Sequence, residues 1–152
     1  MNRNRLRYIV NAGVIAAIYF VLTLVLQPIS FGAVQFRISE AMTILPFFMP
    51  AAVPGLFIGC FFANIIGGLG LVDIVFGSLT TLIAAYITSK MPNKYFAVLP
   101  PILFNAFVVS IWVSKITNMP YMVTVGTIGF GEFVSAGILG LVLAFPFVRV
   151  TK

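Results

Sequence analysis

Three side chains in this sequence are carboxylic acids: Glu40, Asp73 and Glu132. Each lies in or beside an apolar run, where a carboxylate can accept charge-assisted hydrogen bonds or meet a cation, and such bonds are the stronger kind. Arg37 stands three residues before Glu40, within reach of an ion pair. Glu132 sits among small and apolar residues in "GTIGFGEFVSAG", and an ionisable group at membrane depth is costly enough to mark a functional position. Asn64 and Asn105 add amides that both donate and accept. Trp112 adds a flat ring, and it follows Asn105 by seven residues, so the two share a helix face. Together these groups could bind a small planar heterocycle. The structural alternatives are an Arg37–Glu40 ion pair, Asp73 as a first-turn acid worth about 0.3–1 kcal/mol, interhelical asparagine bonds and an interfacial tryptophan anchor.

Other chemistry is excluded by composition. The chain has no histidine and one cysteine, Cys60. A His-based triad and a Cys/His metal site are therefore out of reach. No GxxxxGK[ST] phosphate loop occurs. Nothing pairs a nucleophile with a base, so the chain reads as a non-enzyme that calls for no metal or cofactor.

The elements that position these groups are membrane helices. Hydrophobic residues make up 61% of the chain and charged residues 8%, against about 25% charged in a soluble domain. The uncharged run "YIVNAGVIAAIYFVLTLVL" has the length of a membrane span. Spans are expected over about Tyr8–Gln27, Glu40–Met49, Ala51–Ile66, Asp73–Ser89, Val98–Ser114 and Thr127–Val148. The second is short, and Pro46, Pro50 and Pro54 punctuate it and its surroundings. Five spans would result if the second and third merged. Six place Arg3, Arg5, Arg7, Lys90, Lys94, Arg149 and Lys152 on one face, with Arg37 and Lys115 opposite, and the positive-inside rule favours that arrangement with both termini cytoplasmic. The fold class is thus an all-α integral membrane protein, a six-helix bundle in one domain over residues 1–152, with a short second helix.

In this topology the three acids open the second, fourth and sixth spans at the outer face. The outer links hold Gln35 and Arg37, the glycines Gly67, Gly68 and Gly70, and Lys115 to Tyr121. Phe130 and Tyr121 are further candidates to stack on a ligand. On the first span, Ala12 and Ala16 lie four apart with Gly13 and Ala17 beside them. Small residues at that spacing let helices approach closely, either within the chain or against another membrane protein.

The block "FGAVQFRISEAMTILPFFMPAAVPGLFIGCFFANIIGG" followed by "GLVDIVFGSLTTLIAA", with the Ala12-x-x-x-Ala16 pattern and the span count, resembles the substrate-binding (S) components of energy-coupling factor (ECF) transporters. Within them it resembles the QueT group, tied to uptake of queuosine precursors. The resemblance implies a coupling membrane protein and two ATPase subunits as partners, location in the bacterial plasma membrane, and docking of Ala12, Gly13, Ala16 and Ala17 to the coupling protein. It also implies a deazaguanine ligand, such as the aminomethyl precursor base. On that reading Glu132 or Glu40 accepts the N–H donors of a guanine-like edge, and Asn64 or Asn105 reads its carbonyl and ring nitrogens. Trp112, Phe130 or Tyr121 stacks, and Asp73 meets the aminomethyl cation. The competing readings are a stand-alone carrier for a small cationic or heterocyclic solute and a ligand-free membrane scaffold.

Overall fold

The computed structural model describes residues 2–30 and 36–150, with side chains through residue 147. Every regular element among them is helical. We number the principal helices α1 (Arg3–Val25), α2 (Ile38–Phe47), α3 (Ala52–Gly67), α4 (Asp73–Thr88), α5 (Lys94–Thr117) and α6 (Tyr121–Phe147). Among these, α1, α5 and α6 are long and apolar enough to cross a membrane; α2, α3 and α4 are shorter and also apolar.

The outward faces are greasy. Ile9, Val14, Ile18, Val21 and Val25 of α1 are exposed, as are Phe107 and Ile111 of α5. The buried stripe of α1 is smaller and more polar: Ala12, Ile15, Ala16, Tyr19 and Thr23. This inverts the soluble pattern and suits a helix solvated by lipid.

Small residues decide how closely α1 and α3 pack. A methyl group built on Gly55 would lie 2.8 Å from the Ala12 carbonyl oxygen, and one on Gly59 would lie 2.8 Å from that of Ala16. The Gly55-x-x-x-Gly59 face of α3 therefore receives the Ala12-x-x-x-Ala16 face of α1, backbone against backbone. Ile15, Tyr19, Leu56, Cys60 and Ala63 join the apolar core beside this contact, so Cys60 is a packing residue there.

The second segment differs in kind. It winds as a 3₁₀-helix of 10 residues, with Pro46 inside, whereas such helices seldom exceed 3–4 residues. At about 2.0 Å per residue it rises about 20 Å, short of a hydrocarbon core about 30 Å thick. Every residue from Ser39 to Pro46 is buried. Helices α1, α3, α4 and α6 enclose it, and that enclosure shelters its poorer backbone bonds from lipid.

Helices α4, α5 and α6 each contain a π-helical stretch: Asp73–Gly77, Asn105–Val109 and Phe133–Leu139. Such turns are rare and occur often at functional positions. Here one begins at Asp73, one begins at Asn105 and one follows Glu132 directly.

Two expected boundaries move. Helix α5 runs from Lys94 to Thr117, longer at both ends than the apolar run. Helix α6 begins at Tyr121, six residues before the expected start, because Asn118 takes a left-handed φ of 54° and Pro120 caps the new helix. The sequence reads this stretch as an irregular link; only three residues, 118–120, separate the helices. Glu132 is therefore the twelfth residue of α6, about 16 Å along its axis, not near its beginning.

Candidate binding site

Polar side chains from all six helices meet in buried contacts. Arg37, immediately before α2, donates through Nη1 to Asn64 Oδ1 of α3 at 3.3 Å and through Nε to the Ser30 carbonyl at 3.4 Å. The Asn64 amide in turn donates to the Asp73 backbone carbonyl at 3.0 Å. The Trp112 indole N–H donates to Asp73 Oδ1 at 2.9 Å, tying α5 to α4. Glu40 accepts a short hydrogen bond from the Tyr19 hydroxyl, and its neighbour Ser39 exchanges one with Thr23 at 2.7 Å. On the far side, Asn105 Nδ2 donates to Glu132 Oε1 at 2.9 Å. Glu132 lies within electrostatic range of Glu40 and Arg37.

Position along the chain hides this convergence. Glu40 is the third residue of α2, Asp73 the first of α4 and Glu132 the twelfth of α6. The buried α2 packs against the π-helical part of α6, which begins directly after Glu132.

The three acids share a further property. Glu40 and Asp73 are each 1% exposed and Glu132 is 4% exposed. Each spends one oxygen on the bond just given, while Glu40 Oε2, Asp73 Oδ2 and Glu132 Oε2 have no hydrogen-bond partner among the described residues. Buried acceptors are normally satisfied, because an unmade bond there forfeits about 1–3 kcal/mol, and more for a charged group. Three such oxygens can each accept a hydrogen bond from an N–H donor. Ser30, Ser110 and Ser135 carry buried hydroxyls that likewise have no partner among the described residues.

Of the residues singled out in the sequence, Arg37, Glu40, Asn64, Asp73, Asn105, Trp112 and Glu132 converge. Gln35 lies outside the described residues. Phe130 is 64% exposed: it precedes Glu132 by two residues, about 200° around the helix, and so cannot stack on anything Glu132 holds. Tyr121 is partly exposed and donates its hydroxyl to the Phe107 carbonyl at 2.8 Å. It joins α6 to α5. Among the aromatic candidates, Trp112 alone reaches the network. Ala12 and Ala16 are committed to α3, whereas Gly13 and Ala17 face outward; a methyl group on Gly13 would touch nothing within 4 Å.

Sequence reasoning missed Tyr19 and Gly77. Tyr19 looks like one more aromatic in an apolar span, and only the fold reveals its bond to Glu40. A methyl group on Gly77 would lie 2.9 Å from Asn64 Nδ2 and 3.1 Å from Asp73 Oδ1; the glycine leaves room for that corner. A groove of about 590 Å³ between α1, α2 and α6, walled by residues such as Ile18, Met42 and Leu143, is apolar and contains none of the acids.

No solved structure matches this chain. The Queuosine precursor transporter QueT of Lactococcus lactis subsp. cremoris (strain MG1363) is 29% identical to it over 153 aligned residues, covering 89% of each chain. A family model described as QueT transporter matches residues 9–147, which include α1 from Ile9 onward, the other five helices whole and every member of the polar network. An all-helical chain with three apolar helices of spanning length, matched over that extent, belongs to the QueT transporter family and is a membrane transport protein, not an enzyme.

Proposed function

We propose that this chain is the S component of an ECF-type importer and captures a queuosine precursor, an aminomethyl-deazaguanine or a related deazaguanine base, from outside the cell. A coupling membrane protein and two ATPase subunits then drive its delivery inward. The substrate class follows the printed name of the Lactococcus relative. The observation that carries the binding step is the set of three buried carboxylates, each with one oxygen unpartnered among the described residues. A guanine-like edge presents adjacent N–H donors, which a carboxylate accepts in pairs. Asn64 and Asn105 offer amides for the ring carbonyl and nitrogens, and Trp112 offers an aromatic face.

The same proposal has six crossings of the cell membrane by this single domain, with both termini cytoplasmic. The gathering of Arg3, Arg5, Arg7, Lys90 and Lys94 at one set of helix ends supports it. So does the burial of α2, since a short irregular segment is tolerated at membrane depth where protein surrounds it. Gly13 and Ala17 remain open for docking to the coupling protein.

Two measurements on the purified full chain test this. Titration calorimetry in lipid nanodiscs should detect the aminomethyl base and not adenine; no heat with any deazaguanine would end the substrate proposal. Uptake into proteoliposomes should require co-reconstituted coupling and ATPase subunits. Uptake by this chain alone, driven by an ion gradient, would favour the stand-alone carrier.

A further inference from the structure

The apolar groove of about 590 Å³ between α1, α2 and α6 plays no part in the polar network, since none of the acids lines it. Val14 and Ile18 on one wall and Val142 on the other are exposed, so the groove opens outward from the bundle. Asn11 is the one polar residue among those that line it. From Asn11 to Leu22 the groove runs about 16 Å along α1, close to the hydrocarbon depth of one leaflet, half of about 30 Å. Asn11 marks one end. Its side chain is exposed and has no hydrogen-bond partner among the described residues, an arrangement that hydrocarbon alone penalises. Arg7, Asn11, Val14, Ile18 and Leu22 follow one another at spacings of four, three, four and four, so they form one stripe on α1. Arg7 is thus one turn beyond the polar end of the groove, on the same face. It is exposed and is the last charge before the apolar run. The three acids of the chain are all buried in the network, so no acidic side chain neutralises Arg7.

We propose that this groove binds one anionic phospholipid, with an acyl chain along the groove, the glycerol ester carbonyls at the Asn11 amide and the phosphate at Arg7. Each part of such a lipid then meets its complement in order along α1: charge, hydrogen-bond donor, apolar wall. A phosphatidylcholine carries its own cation beside the phosphate, so the guanidinium favours an anionic headgroup over it. Gly13 and Ala17 each stand one residue before a member of the stripe, about 100° around the helix, so the lipid leaves that face of α1 free. The site does not depend on the substrate reading above.

The test is native mass spectrometry of the purified full chain, stripped of lipid in detergent and titrated with phosphatidylglycerol or phosphatidylcholine of identical acyl chains. One phosphatidylglycerol should bind saturably, about fivefold more tightly than phosphatidylcholine, the effect of one cation beside an anionic headgroup. Arg7→Gln should remove that preference. Arg5→Gln should keep it, because Arg5 lies two residues away and about 200° around the helix. Ile18→Trp places a ring in the groove and should expel both lipids. Equal binding of the two lipids by the unaltered protein would overturn the proposal, as would equal losses in Arg7→Gln and Arg5→Gln, which would reduce the effect to general surface charge. An Ile18→Trp variant that keeps its lipid would overturn it too; if that variant also failed to assemble with the coupling subunit, the groove would seat a partner helix instead. Arg7 and Arg5 are both exposed, so their comparison decides even if Ile18→Trp does not fold.

Discussion

Trp112 and Asp73 are 39 positions apart and are joined by a 2.9 Å bond from indole to carboxylate. That bond links α5 to α4 at the corner where the Asn64 amide also arrives, so one side chain can both orient the acid and offer a ring to a planar ligand.

Trp112→Phe keeps a ring and removes the donor. Asp73 Oδ1 then joins Oδ2 as a buried acceptor without a partner, a loss of about 1–3 kcal/mol. Ligand affinity is expected to fall by about tenfold to a hundredfold, with a lower unfolding temperature, as read by calorimetry and a thermal-shift assay. Unchanged affinity would show that the indole N–H does not position Asp73.

Gly77→Ala tests the space beside the same acid. The added methyl would stand 2.9 Å from Asn64 Nδ2 and 3.1 Å from Asp73 Oδ1, both nearer than ordinary contact. Binding should weaken at least tenfold while helix content by circular dichroism stays constant, since alanine itself favours the helix by about 1 kcal/mol. A variant that binds normally would mean that the network yields without loss.

Gly55→Ala and Gly59→Ala push α1 from α3. Each methyl meets a backbone carbonyl at 2.8 Å, and backbone cannot swing aside. Overpacking of this kind destabilises by about 1–3 kcal/mol, and the double variant should lose more than either single one but less than the sum, since both press on one contact. Thermal unfolding in detergent measures it; a double variant as stable as the parent would refute the close α1–α3 contact.

Gly13→Leu and Ala17→Leu enlarge the outward part of the small-residue face without touching α3. Ligand binding by the chain alone should be unaffected. Uptake with the coupling and ATPase subunits should drop severalfold if this face docks to the coupling protein. Normal uptake by the double variant would move the docking surface elsewhere.

Much of the site is legible before the fold is seen. A carboxylate, an asparagine or a tryptophan in so apolar a chain stands out by type, and Glu40, Asn64, Asp73, Asn105, Trp112 and Glu132 all reach the network. Their depth is harder to read. Pro120 looks like a helix breaker in sequence, yet it sits just ahead of the first turn, where a missing N–H costs nothing. That moves the start of α6 and drops Glu132 to mid-helix. The role of Tyr19 and the pairing of Ala12 and Ala16 with Gly55 and Gly59 depend on which helices become neighbours, and no local pattern encodes that. The π-helical stretches are equally silent, since hydrophobic periodicity over five to seven residues does not separate them from ordinary α-helix.

Those wide turns make residue count part of the specificity. A π turn accommodates one residue more than the α turn it replaces. Removing a single residue from 133–139 would let the helix close up regularly with its two flanks still aligned, and what would shift is the aim of the residues in and beside the wide turn. Relatives with a one-residue gap at that place, or at 73–77 or 105–109, should therefore be sought among transporters that have changed cargo, even where each polar side chain is retained.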